Sequence, residues 1–420
     1  GTDPTDLKIV GENIASDSLQ IPRLDTGRQY YWQVVSKDNA LESTSDLSSF
    51  TIYEKSIDGN IQLNNQASVE AFISNGYTTI FGDLIISDVV DISGINQLNR
   101  LEGGLLIREA SILNLNGLEN LVHFTGNLYI ENNELLNSIE TLSNVTSFLG
   151  TVTISGNPRL ESLKGLENCQ NLNAISITEN PILQSLTGLE NLNKVSVGLD
   201  VIGNASLTNI HALTSLNEVG SLRVVECKAL TSLNGLQGLN TVSDTLRINR
   251  NNGLLKIDAF DGLQTVETQI EILDNLNLAE ISGFERLEKV SRLNIIGNSV
   301  LTTVHGFNQL NGASTNIMFD SNSLEMLRGF SGLKEVNFLD LTQLRNLNEF
   351  NAFENLEKVN RLYLFDTNLR SLEGFSQLQS VQNLNLFQNN ELVDVTLEQL
   401  IDLERLTISE HQNLQNVNYL

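Results

Sequence analysis

Residues 179–195 read ENPILQSLTGLENLNKV. Leu183, Leu186, Leu189, Leu192 and Val195 recur at every third position, behind Asn180 and Pro181. Leucines three apart suit a flat edge or a short 3₁₀-like turn, and the run is too brief for a stable helix. The same phrase returns along the chain. Units begin at 83, 104, 127, 151, 174, 198, 221, 245, 269, 292, 316, 338, 361, 383 and 405, spaced 21 to 24 residues apart. The shared pattern is x-L-x-[I/V/L]-x-x-N-x-x-L-x-x-L-x-G-[L/F]-x-x-L-x-x-V. At each unit start, as in TLRI (245–248) or RLNI (292–295), apolar and polar residues alternate. That alternation marks a short strand with one buried face. Gly165, Gly188 and Gly235 stand before the [L/F] position, where a corner needing φ > 0 is expected. A single unit cannot bury its own leucines. Stacked units can, with strand beside strand, and fifteen of them make a rod or gentle arc of about 70 Å.

The composition agrees. The 420 residues are too many for one ordinary compact core, but a repeat needs only its neighbours. The net charge of −26 disfavours nucleic acid as a partner and matches a solvated acidic surface. No apolar run is long enough to span a membrane. The opening GTDPTD has neither the basic start nor the apolar segment of a signal peptide, and says nothing about where the protein goes. The last unit, RLTISEHQNLQNVNYL, stops before its Gly corner.

Position seven of the unit is Asn133, Asn157, Asn180, Asn204, Asn251, Asn275, Asn298, Asn322 and Asn389 in nine cases. Val89, Ala110, Cys227, Leu344, Thr367 and His411 fill it elsewhere. A buried turn leaves backbone donors and acceptors that need partners. An inward Asn supplies both, and is expected to serve its own turn and the next coil's. The column therefore reads as a structural ladder and not as a row of working residues.

These phrases resemble the leucine-rich units of receptor L domains and similar repeats of fungal cell-wall proteins. The lead-in GNIQLNNQASVEAFISNGYTTIFGDLII (59–86) is similar to a segment that opens the solenoid in surface proteins of Gram-negative bacteria. The resemblance implies a mainly β, right-handed parallel β-solenoid at 83–420, with an N-terminal cap at 56–82. In that cap Ile61 and Leu63 form a first strand, and Ser68 N-caps a short helix carrying Val69, Ala71 and Phe72. Tyr77, Ile80 and Gly82 lead into the first coil. The resemblance also implies an extracellular or cell-surface location, the outer face of a Gram-negative bacterium, and binding or adhesion without chemistry. It supplies no catalytic residue. Residues 1–55 differ: SLQIPRLDTGRQYYWQVVSKD and SSFTIY resemble the later strands of a fibronectin type III-like sandwich. Tyr31 and Trp32 fall on one strand, Phe50 and Ile52 on the closing one. Their aromatics read as core, with a sugar platform of Tyr30, Tyr31 and Trp32 as the weaker reading.

Signals for chemistry are sparse. Cys169 and Cys227 lie three coils apart, about 14 Å by strand spacing, beyond disulfide reach, so two buried free thiols are expected. His123, His211, His305 and His411 sit in different units, with no metal-binding spacing. No nucleophile elbow, Walker loop or dinucleotide fingerprint occurs, and no cofactor or metal is expected. A polysaccharide-cleaving β-helix would use carboxylates on the sheet face. Asp320, Asp340 and Glu271 are the outward candidates, with Arg292 and Arg361 near enough to pair with them. The more telling outward feature is apolar. Strand positions one, three and five face solvent and are mostly polar in the first ten units, with Ile202, Val225 and Ile296 among the exceptions. In the later units they include Met318, Phe338, Tyr363, Phe365 and Phe387. Such a patch suits a protein or carbohydrate partner at a cell surface. Glycan capture for nutrient uptake is the alternative to adhesion.

Overall fold

The computed structural model describes residues 29–37, 42–51 and 55–418. From Ser56 onward the chain winds as a parallel β-solenoid. Its main sheet is an open ladder of short parallel strands, from Ile61–Leu63 through Leu84–Ile86 and onward to Asp402–Ser409. The register expected from the repeat holds from rung to rung. Thr245 pairs with Gln269, Gln269 with Arg292, Arg292 with Asn316, Asn316 with Phe338 and Phe338 with Arg361. Positions two and four point inward: Leu293 and Ile295, or Leu362 and Leu364, are buried. The strand Ile61–Leu63 pairs with Leu84–Ile86, so the cap contributes one more rung before the fifteen units.

The leucines at spacing three turn the remaining corners of each coil. Some form 3₁₀ turns, as at Ser93–Ile95, Glu140–Asn144, His211–Leu213 and Glu373–Phe375. Others form a second, five-stranded parallel sheet of two-residue strands, Lys256–Ile257, Glu280–Ile281, Thr303–Val304, Met326–Leu327 and Glu349–Phe350. Gly165, Gly188 and Gly235 adopt φ of 111°, 115° and 120°. A Cβ on Gly188 would lie 2.2 Å from the carbonyl oxygen of Leu163 in the coil before, so these corners need glycine for conformation and for closeness. The residue after the corner changes along the rod. It is Leu166, Leu189 and Leu236 early, then Phe260, Phe284, Phe307, Phe330, Phe353 and Phe375. These rings stack at 4.8–6.0 Å between centroids.

The Asn ladder is inward and buried, and it links coils in both directions. Every ladder Asn reaches back to a strand carbonyl of the coil before it, Asn157, Asn180, Asn204, Asn275 and Asn298 also donate within their own turn, and Asn133, Asn157, Asn180 and Asn275 donate to the Oδ1 of the next coil's Asn. Asn180 donates from Nδ2 to the carbonyls of Ile154 and Thr178 (3.0 Å each), and its Oδ1 accepts the backbone N–H of Asn157 (3.2 Å). Asn133, Asn251, Asn275, Asn298, Asn322 and Asn389 repeat the reach-back to a strand carbonyl at 2.8–3.0 Å. Two exceptions imitate the amide. The Cys227 thiol lies 3.6 Å from the carbonyls of Val201 and Val225. The His411 ring reaches the carbonyls of Leu386 and Asn389 at 3.1 and 3.0 Å.

One column escaped the sequence reading. The residue before position seven has positive φ in all fifteen units: Gly156, Gly203, Gly297 and twelve non-glycine residues, among them Glu179 and Glu226. Left-handed backbone costs a residue with a Cβ about 1 kcal/mol or more. Here the tight entry to the Asn turn imposes it, and the ladder bonds on both sides hold it.

The cap helix, Gln66–Asn75, buries Val69 and Phe72; Ala71 is exposed. Asn65, not Ser68, is its N-cap. The Asn65 Oδ1 accepts the Ser68 backbone N–H (2.9 Å), and the Ser68 hydroxyl accepts the Asn65 N–H, a reciprocal capping box. Phe72 packs on Tyr77, with ring centroids 5.7 Å apart. Ahead of the cap, Gln29–Trp32 pairs antiparallel with Ser48–Thr51, and Val35–Lys37 with Glu42–Thr44. Tyr30 stacks on Phe50 at 5.8 Å. Consecutive strand residues face opposite sides, so Tyr30, Tyr31 and Trp32 do not share one platform. Ile52 and residues 1–28 lie outside the described residues.

Candidate functional site

The outward face of the main sheet divides into two kinds of surface. Over the middle coils the charges pair along column three. Arg223 makes a two-pronged bond to Asp200 (2.6 and 2.7 Å), and Arg247 pairs with Glu271. Glu271 is therefore a partnered sheet-face charge and not a free carboxylate. Near the N-terminal end Tyr129, in the same column, lies under Arg108 with the guanidinium carbon 5.5 Å from the ring centroid. The alternation rule that found the later aromatics also marks Tyr129, which the sequence reading passed over.

Over residues 316–387 the face carries four aromatic rings, Phe338, Tyr363, Phe365 and Phe387. Tyr363 stacks on Phe365 at 6.4 Å and meets Phe387 at 5.6 Å. Phe365 and Phe387 are register partners in column five. All three are half-buried and outward. Met318 lies two rungs before Tyr363 in column three, with Asp340 between them. Phe338 stands apart in column one, between Asn316 and Arg361. The five residues thus form an aromatic triad and a separate pair, Met318 and Phe338. The pair lines a groove of about 600 Å³ running from Arg292 to Gln382.

The expected pairing of Arg292 and Arg361 with the acidic candidates does not occur. Asp340 is only 8% exposed, and its carboxylate accepts the Thr342 hydroxyl at 2.6 Å. Burial raises its pKa above the ordinary carboxylate value, Thr342 opposes the shift, and the Asp320 charge adds to it. Asp320 accepts the Ser321 hydroxyl at 2.8 Å. Column position decides this outcome: the arginines are in column one, Asp340 is in column three and Asp320 in column five.

Both cysteines are buried and free, and burial pushes each thiol up to about 12. Among the described residues no group of three or more His, Cys, Asp or Glu side chains is placed to hold a metal ion. His123 and His305 each face one glutamate, Glu102 and Glu280. Among the described residues no helix is long and apolar enough to cross a membrane.

No family model matches the chain, and no curated protein matches it. Among solved structures, one described as the functional domain of InlJ from Listeria monocytogenes, which includes a cysteine ladder, is similar at 15% identity with a TM-score of 0.23. The likeness covers 79% of this chain and 68% of that one.

Proposed function

We propose that this solenoid is a non-enzymatic binding protein of the cell surface, on the outer face of a Gram-negative bacterium, which engages a macromolecule through the outward face of its main sheet. The observation that carries this reading is the triad of Tyr363, Phe365 and Phe387, two rings each packed on Tyr363, on a face whose middle coils are charge-paired. Contiguous exposed rings are a contact surface for protein or sugar. Adhesion to a protein or carbohydrate of another surface is the first form of this function. Glycan capture is the second, favoured by the amide-rich groove beside the triad.

A polysaccharide-cleaving role finds less support. General acid–base work needs carboxylates open to substrate and water. Asp340 is covered and hydrogen-bonded, and Glu271 is ion-paired. A glycan and surface-protein array, with a hydrolysis assay on every glycan hit, tests the function. Binding without product is expected. Replacing Tyr363 and Phe365 together by Ser is expected to reduce binding about tenfold or more while leaving the melting temperature nearly unchanged. Product formation from a bound glycan would replace the binding reading with the enzymatic one.

A further inference from the structure

We infer that the groove between Arg292 and Arg361 takes an acidic polysaccharide, held through its carboxylate or sulfate groups; this rests on the binding function proposed above and specifies its ligand. The argument begins with charge. The chain has 51 acidic residues and 25 basic ones, yet the groove lining contains no Asp or Glu. It contains Arg292 and Arg361, and among the described residues neither pairs with a carboxylate. Elsewhere on the same face Arg108, Arg223 and Arg247 all have acidic partners. Another groove of similar size, beside the Asn turns, is lined by Glu109, Glu134 and Glu179 and by no base. Two arginines without acidic partners thus line one concavity of an acidic rod, where they attract and orient an anion.

The polar lining then points to sugar. Five side-chain amides accompany the arginines. Three of them form a relay: Asn360 donates to Asn337 at 3.0 Å, and Asn337 to Asn316 at 2.8 Å. Such a chain is stiff and leaves an amide donor at one end and an acceptor at the other, the pairing that hydroxyl groups require. Phe338, between Asn316 and Arg361, offers a flat apolar surface to a sugar ring. Arg292 and Arg361 are three rungs apart, about 14 Å, so one chain of several sugars can meet both. An acidic peptide fits less well. Extended peptides gain affinity by adding a strand to a sheet edge, and this groove crosses mid-sheet strands whose backbone is already paired on both sides.

The test is calorimetric titration of the intact chain with polygalacturonate, alginate, hyaluronan and chondroitin sulfate, alongside methyl-esterified polygalacturonate and polyglutamate. At least one acidic polysaccharide is expected to bind, more weakly as ionic strength rises. Loss of its charge, by esterification for a uronate polymer, and the double substitution Arg292→Gln with Arg361→Gln are each expected to reduce affinity about tenfold or more. Arg223→Gln, in the charge-paired region, is expected to leave it unchanged. Equal binding of the ester, equal binding of polyglutamate, or full affinity in the double variant overturns the proposal. So does silence across the acidic panel. If neutral glycans or surface proteins still bind through Tyr363 and Phe365 in that event, the binding function stands and only the acidic ligand is lost.

Discussion

The outward sheet face over residues 198–273 and that over 316–387 rest on the same interior and present different surfaces. Beneath both run buried apolar residues at positions two and four and a positive-φ residue before position seven, which is Asn except at Cys227 under the first and Leu344 and Thr367 under the second. Above the first, charges close on one another, as in Asp200–Arg223 and Arg247–Glu271. Above the second stand a ring cluster, a covered carboxylate and arginines left open. Each coil must match its neighbours inside, so the interior keeps one plan even where Phe replaces Leu after the corner. Outside, no neighbour imposes a residue, and exposed ion pairs contribute at most about 1 kcal/mol. A departure from the paired pattern is therefore not demanded by the fold, which makes it a marker of use.

If that plan is equivalent under both faces, damage to it should be equal. The largest effect is expected at the corners. Gly235→Ala and Gly329→Ala each place a Cβ within 2.4–2.6 Å of backbone atoms of the preceding coil, at φ of 120° and 87°. Both should lose about 3 kcal/mol or more by denaturant melts. A much smaller loss at one of them would break the equivalence. Next come Asn251→Ala and Asn322→Ala. Each removes an Oδ1 acceptor for the preceding backbone N–H and an Nδ2 donor to a strand carbonyl. Each should cost about 1–3 kcal/mol through groups left buried and unpaired.

A smaller, pH-dependent effect should separate the two faces. The raised pKa of Asp340 means that the fold favours its protonated form. The associated stability is present at low pH and lost as pH rises through the folded-state value. Asp340→Asn is thus expected to raise the melting temperature at neutral pH, with the gain vanishing in acid. The matching change Glu271→Gln, in the paired region, should show no such gain. The smallest stability change is expected from replacing Tyr363 and Phe365 by Ser, whose consequence should appear in binding alone.

Much of this was legible in the residues. The alternation at positions one to five fixed the rung register, and the Gly–[L/F] pair located the corners. Both are local consequences of a fold whose contacts recur every turn. The Ser68 cap was misplaced because Asn65 and Ser68 bond to each other, and a list of capping types does not say which of the two leads. The left-handed column was missed because Glu, Gln and Arg occupy it beside Asp and Gly. Arg292 and Arg361 were expected to be near enough on the face to pair with Asp320, Asp340 and Glu271, but lie in another column.

The sequence alone determined that the chain is a stack, where each coil begins and which residues are inside, because period and polarity encode burial. Tertiary structure decided the direction in which each Asn reaches, which outward charges meet and where a groove opens. Those depend on lateral neighbours about 23 residues away, whose offset by one strand spacing and by one or two columns sets every distance on the face.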